Sequence, residues 1–404
     1  MAYAPAPLLP YTTAAVPRGF PLANTGAICY FNTMLQSLAS CPSFVQAVAN
    51  NLEYMSKTLT GSALYNFVQH VIKCAAEPVG RVEANHSYVL VGLLRDLKKR
   101  KPRFEFGQGM DSAAIALDLL LDMSEPESAK AAAAADGEKV VSDQAVMIHQ
   151  AQAQNPIASL FRLRVATKVC CKTCEALGER YEDQPPGIVS VRKDTCYSVE
   201  YFNYDTAGVR NEAEFVHHLL VQTTHLDDYH CEKCEKAGRP TANLCASCAS
   251  NGLRPQGACE DCKSLRQKGG EGNCERCVQG GRPTKCAACA AAKGNSVRRY
   301  EVEKIPTILF IRFNQYVGHR KRYFPIEMHF SSKEGGKLRY SLVAQMEHSG
   351  SLSGGHYWAH GVRKSAAGDK LVSCSLNDAS VGAVKLGPTA STYCVVYHFT
   401  GTEK

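Results

Sequence analysis

The chain contains no run approaching the roughly eighteen apolar residues that a membrane-spanning helix needs, which argues against an integral membrane protein. Its opening, MAYAPAPLLPYTTAAVPRGF, is apolar and proline-rich but has no basic start, so the layout of a secretory signal is missing. The expected address is cytoplasmic, nuclear or both. Large apolar residues are almost absent from 235–293, a stretch rich in Gly, Ala, Lys and Cys. Such a segment cannot bury a conventional core, and metal must supply any order it has. Elsewhere core material is ample, with 45% hydrophobic residues in 404.

What is abundant is cysteine. Twelve of the 19 fall in six C-x-x-C pairs: Cys171/Cys174, Cys231/Cys234, Cys245/Cys248, Cys259/Cys262, Cys274/Cys277 and Cys286/Cys289. In an intracellular chain this spacing points to metal ligands rather than disulfides. Two such knuckles make one tetrahedral zinc site, so twelve thiolates would fill up to three. Redox-active pairs are a poor alternative, because no βαβ context surrounds them. The formal net charge of +8 is concentrated here: between Cys231 and Tyr300 there are 13 Lys and Arg against 6 Asp and Glu. A four-thiolate zinc site carries a charge of about −2, which offsets much of that excess. A nucleic-acid partner therefore has only the basic cysteine-rich insertion behind it.

Along the chain, 1–18 reads as a flexible leader. A turn at 24–28 leads into a helix whose Phe31, Met34, Leu35 and Leu38 share one face. Further helical patterns run through 44–57, 62–75, 86–98 and 111–123, the last with Asp111 as its cap. Residues 124–145 mix acids, an alanine run and Gly and read as a solvated insert. Strand-like segments follow at 158–168 and 187–192. From Tyr300 onward VEKIPTILFIRF, KRYFPIEMHF, RYSLVAQMEH, GGHYWAHGVR, KLVSCSL and TYCVVYHF read as short strands between turn residues. Helices first, a zinc-binding middle and an antiparallel sheet last make an α+β arrangement.

Cys29 stands where a turn enters a helix, and a helix N-terminus favours thiolate over thiol. A buried small hydrophobe is the commoner fate of a single cysteine, and local pattern alone favours that reading. Downstream, GGHYWAH places His356 after two glycines at a strand start, and SLNDASV places Asn377 and Asp378 in a turn. Cysteine, histidine and Asn/Asp in this order match the papain-like constellation.

NTGAICYFNTMLQSL resembles the cysteine box of the ubiquitin-specific proteases, whose usual form is N-x-G-N-T-C-Y-x-N-S-x-L-Q. HSGSLSGGHYWAH, residues 348–360, is similar to their histidine box, and GQGMDSAAIALDLLLD, residues 107–122, to a weakened form of their Q-Q-D-A-x-E-F-L helix. YHCEKC, IPTILFIRF and YFPIEMHF follow in family order, so the resemblance spans about 19–400. It implies a papain-like fold with a helical thumb (about 19–123), the insert at 124–145, and an antiparallel-sheet palm with zinc-ribbon fingers (about 155–404). The cysteine-rich insertion at 235–293 lies within the last of these.

The resemblance implies Cys29 as nucleophile, His356 as general base, Asn377 as the group orienting the imidazole with Asp378 as its fallback, and Asn24 as oxyanion donor. His348, Tyr357 and Gly355 are expected to line the channel for the substrate's glycines. In the family one cysteine pair precedes and one follows a long excursion. Cys171/Cys174 fits the first, while Cys231/Cys234 and Cys286/Cys289 both fit the second. Ala27 and Ile28 replace the usual Asn-Thr, and the Glu and Phe of the 107–122 helix are lost. The implied reaction is thiol-dependent hydrolysis after the C-terminal glycine of ubiquitin, with ubiquitin and ubiquitinated proteins as partners and no catalytic cofactor. Two alternatives stand beside it: a protease for another ubiquitin-like modifier, and a non-catalytic scaffold that binds ubiquitin or nucleic acid.

Overall fold

The computed structural model describes residues 13, 16–24, 28–58, 61–76, 92–95, 155–198, 203–204, 209–226, 229, 231–237, 296–313, 323–332, 335–351 and 354–403. Outside them lie 1–12, the expected helix at 111–123 and most of that at 86–98. The 124–145 insert and nearly all of the cysteine-rich insertion, with Cys245, Cys248, Cys259, Cys262, Cys274, Cys277, Cys286 and Cys289, also lie outside.

The described residues form two compact units. The first comprises 1–164, 195–219 and 303–404; the second comprises 165–194 and 220–302. In the first, helix α1 (Cys29–Ala39) is buried along its whole circumference, not only on its apolar face. The reason is its location, against α2 (Pro42–Asn50) as well as β8 (Lys337–Ser351) and β9 (Gly354–Lys364). Two of its buried polar side chains bond to backbone carbonyls. The Gln36 amide donates to Phe20 O at 2.8 Å, and the Ser37 hydroxyl donates to Thr33 O at 2.8 Å.

The pattern expected as one helix over 44–57 is two. Pro42 opens α2 at a position where its missing N–H costs nothing, and Asn51 closes it with a non-helical φ of −118° and ψ of 41°. The Asn51 side chain donates to Ala47 O at 2.7 Å, competing with the backbone as asparagine does at helix ends. Then α3 (Leu52–Ser56) follows. Helix α4 (Gly61–Ala76) buries Leu64, Phe67, Val68 and Val71, one apolar stripe.

The first unit is completed by an eight-stranded sheet. Its order is β11 (Ser380–Ala383), β10 (Leu371–Asn377), β9, β8, β12 (Thr392–Glu403), β6 (Ile308–Phe313) and β3 (Asn203–Tyr204), with β7 (Glu327–Ser331) also pairing β8. Apart from the short parallel β3–β6 pair, these pairings are antiparallel. Residues Thr392 to Phe399 of β12 are all buried, so TYCVVYHF reads as a continuous apolar run instead of an alternating one.

A four-stranded sheet belongs mainly to the second unit, in the order β2 (Ile188–Tyr197), β1 (Arg162–Cys171), β5 (Ser296–Lys304), β4 (Val221–Leu226). Helix α5 (Lys172–Ala176) follows β1 directly, and α7 (Glu232–Lys236) begins just after Cys231. Between the two in sequence lies α6 (Glu212–Leu220), part of the first unit. No described helix is long and apolar enough to cross a membrane.

Candidate functional site

Cys29 is the first residue of α1, 7% exposed, at the end where backbone N–H groups have no helical partner. Asn24, five residues before it, bonds on both sides of its amide. Asn24 Oδ1 accepts from the Ile28 backbone N–H at 3.1 Å, and Asn24 Nδ2 donates to Asp378 Oδ2 at 3.0 Å. From within α1, Asn32 Nδ2 donates to Asp378 Oδ1 at 2.8 Å. One carboxylate thus joins the segment before the cysteine to the helix that carries it. Asp378 sits just past β10 with a φ of 47°, a left-handed conformation that Asp tolerates better than most side chains. Its carbonyl accepts from Leu22 N at 3.0 Å.

His356 lies near the start of β9, paired across from Ser349 of β8. Its Nε2 donates to Asn377 Oδ1 at 2.7 Å, the amide arriving from the last residue of β10. A carbonyl oxygen only accepts, so Nε2 carries a proton, and a neutral ring would hold its lone pair on Nδ1. Among the described residues Nδ1 has no hydrogen-bond partner, and no hydrogen bond joins Cys29 to His356. Asn377 and Asp378, adjacent in sequence, therefore divide their work. Asn377 is on the imidazole, while Asp378 accepts from Asn24 and Asn32.

His348 and Tyr357 are cross-strand partners on β8 and β9, with ring centroids 4.3 Å apart. Burial, and secondarily the nearby His356, push the His348 imidazole toward its neutral form. Gly355 is where it is for want of space. A Cβ there would stand 2.3 Å from His348 Nε2 and 2.6 Å from Ser349 O.

A second chemical site belongs to the other unit. Cys171, Cys174, Cys231 and Cys234 are buried, with sulfurs all within 4.8 Å of one another. The Cys171–Cys234 separation is 3.7 Å, and Cys174 lies 3.5 Å from both Cys231 and Cys234. Disulfides need about 2.05 Å, so these are thiols. Four sulfurs at about 2.3 Å from a tetrahedral zinc would lie roughly 3.8 Å apart, and the set fits that ion.

The turn after the first knuckle closes through Glu179 N to Cys174 O at 2.9 Å and Cys171 N to Gly187 O at 2.8 Å. Gly187, at a φ of 77°, passes so close to α5 that a Cβ would meet Glu175 N at 2.8 Å. Burial opposes ionisation of Cys231. The Tyr181 hydroxyl, the Cys234 backbone and the neighbouring thiols outweigh it and lower the Cys231 pKa to about 7. Of the two pairs that spacing allowed as partners of Cys171/Cys174, the structure brings up Cys231/Cys234; Cys286/Cys289 lies outside the described residues.

Sequence reasoning did not single out several residues that build the first unit's site. Asn32 was legible only as part of the cysteine box. Arg363 of β9 is fully buried and donates to Gln36 O and Oε1 at 2.8 and 2.7 Å and to the Ser40 hydroxyl, fastening α1 to the sheet. No local pattern marked it. Trp358 and His360 stood inside the histidine box without a role.

The ubiquitin carboxyl-terminal hydrolase family model matches residues 20–397. A search of curated proteins returned no match by sequence. Similar solved structures include the SAGA deubiquitinating module of Ubp8, Sgf11, Sus1 and Sgf73 bound to monoubiquitin. That chain is 12% identical, with a TM-score of 0.58 over 98% of this chain and 72% of its own length. The same module bound to ubiquitin aldehyde gives 11% identity and a TM-score of 0.56, again over 98% and 72%. A yeast module carrying an Sgf73 mutant gives 12% and 0.56, over 98% and 71%. At these identities the likeness is one of fold.

Proposed function

This chain belongs to the ubiquitin carboxyl-terminal hydrolase family, and on that footing we propose that it cleaves the bond after the C-terminal glycine of ubiquitin through a thioester on Cys29. It is a cysteine-type deubiquitinase, and its bonds are assigned to roles as follows. With the Nε2 proton engaged by Asn377, the base is Nδ1 of His356. It takes the Cys29 thiol proton as sulfur attacks the carbonyl carbon, then returns it to the departing lysine amine. Water then attacks the thioester carbonyl carbon as the same imidazole takes its proton; the C–S bond breaks, the proton passes to the Cys29 sulfur and the ubiquitin carboxylate leaves. Asn24, oriented by Asp378, and the Cys29 backbone N–H stabilise the oxyanion. The nucleophile and base must approach each other during the cycle, as catalytic hydrogen bonds often tighten only with substrate bound.

The observation that carries the reading is the 2.7 Å bond from His356 to Asn377, which assembles two members of the papain-like set. Incubation with a ubiquitin bearing a C-terminal electrophile tests it. The intact chain should form a covalent adduct, and Cys29→Ala should form none. An adduct that survives Cys29→Ala overturns the assignment of the nucleophile. Preference for another ubiquitin-like electrophile would favour the alternative modifier.

Zinc at Cys171, Cys174, Cys231 and Cys234 is part of the same reading, supported by the sulfur spacing. The ion would cross-link the two knuckles and supply no step of the reaction. Up to two further ions in the cysteine-rich insertion, ubiquitinated proteins as substrates, and a cytoplasmic or nuclear address rest on the sequence pattern.

A further inference from the structure

One face of β9 carries His356, Trp358 and His360 in successive alternate positions. The indole of Trp358 lies nearly parallel to the His356 ring, 6.0 Å between centroids at 20°. Its Nε1–H donates to His360 Nε2 at 3.2 Å. That bond requires His360 to be neutral with its proton on Nδ1. Burial provides this: at 8% exposure the His360 imidazole is pushed toward its neutral form, against the opposing pull of Glu347. Glu347 is itself fully buried and accepts from the Thr389 and Thr392 hydroxyls at 2.6 and 3.1 Å. The indole is therefore held at its far edge by the buried His360 ring, which feels the charge of the buried Glu347.

We propose that Trp358 is a positioning residue for the reaction, held in plane by His360, whose indole face supports the His356 ring as it becomes an imidazolium. The inference rests on His356 being the general base. Proton transfer from Cys29 places a positive charge on that ring, and an aromatic face within about 6 Å attracts a cation, tryptophan most of all. An attraction made to the charged ring is gained as the proton arrives on it, so it bears on the chemical step more than on binding. The link to His360 stops the indole from rotating away.

The test measures kcat and KM of the intact chain on ubiquitin carrying a C-terminal fluorogenic amide, with melting temperature followed in parallel. Trp358→Leu is expected to lower kcat by about threefold to thirtyfold while KM stays within about twofold. His360→Leu should fall similarly, and His360→Gln, which offers an acceptor oxygen to the indole, should recover most of the loss. The double variant Trp358→Leu/His360→Leu should be no slower than Trp358→Leu, because the histidine acts through the indole.

Unchanged kcat in folded Trp358→Leu, a loss seen only in KM, or independent effects in the double variant would each overturn the inference. If Trp358→Leu does not fold, Trp358→Phe decides: it keeps a weaker aromatic face but no N–H, and wild-type kcat there overturns the proposal. His356→Ala separates the two levels. Activity retained in His356→Ala removes the base assignment itself. An inactive His356→Ala beside wild-type Trp358 variants removes only this inference.

Discussion

At the scale of single residues, the division between Asn377 and Asp378 is the most consequential finding, since the two are neighbours and each was eligible to hold the imidazole. The geometry puts the amide on His356 and the carboxylate on Asn24 and Asn32. Asn377→Ala should therefore lower kcat on the order of a hundredfold through a misplaced base, with thiol reactivity altered in parallel. Asn24→Ala should lower kcat by roughly 10²–10³ with KM little changed, as loss of one oxyanion donor does elsewhere. Asp378→Ala should follow Asn24→Ala, and the double variant should be little worse than either, because the carboxylate acts through the amide. Steady-state kinetics on a ubiquitin amide check all three, and additive losses would separate Asp378 from Asn24. The proposed nucleophile and base could be named from the sequence because each sits in a contiguous box. Asp378's bonds were not, because its partners are 346 and 354 residues away in sequence.

At the scale of elements, helix and strand types were read correctly wherever apolar spacing is regular, as in α1, α4, β8, β9 and β12. Three kinds of feature escaped. The break at Asn51 depends on a side chain bonding back to Ala47 O, which periodicity does not register. The edge strand β11 is exposed throughout and has no apolar rhythm to announce it. Helix α6 and strand β4 follow one another directly, so no turn residue separates their patterns. Packing between elements also yields two predictions.

On β12, His398 is buried between Ser43 of α2, whose hydroxyl donates to Nε2 at 2.7 Å, and Phe399 O, which accepts from Nδ1 at 2.7 Å. Burial lowers its pKa to about 4, against the effect of the carbonyl. The unfolded chain takes up a proton near the ordinary histidine pKa while the folded one does not. Stability contributed by the neutral ring is therefore present above about pH 6.5 and falls as pH drops toward 4, by on the order of 3 kcal/mol. Urea unfolding of wild type and His398→Gln across that interval should show a shallower slope in the variant. Gly355→Ala should lower the melting temperature and the activity together, because its Cβ meets Ser349 O, which cannot step aside as a side chain can.

At the scale of the whole molecule, two compact units hold two kinds of chemistry, the proposed cysteine–histidine site in one and four gathered thiols in the other. A metal-bound thiol set couples folding to ion binding. Stripping zinc with a strong chelator should lower the protection of amides in 165–194 and 220–237 from hydrogen exchange, while amides of β8 and β12 remain protected. Native mass spectrometry finding no zinc in the purified chain would remove the ribbon assignment. Arg363, buried without exposure and bonded to α1 through Gln36 and Ser40, is the corresponding linchpin of the first unit. Arg363→Ala should destabilise it by about 3–5 kcal/mol, read by denaturant titration, since the helix carbonyls it serves would be left in the interior.

Residue order alone was sufficient for the reaction class, the thiol-rich middle and the α+β succession, because each is written in spacings of two to seven residues or in a contiguous box. It was not sufficient to say which cysteine pairs meet or whether Asn377 or Asp378 reaches the imidazole. Those answers depend on strand register and on which segments, far apart along the chain, packing and buried hydrogen bonds bring into contact. Such contacts leave no periodic trace in a linear pattern, so folding had to supply them.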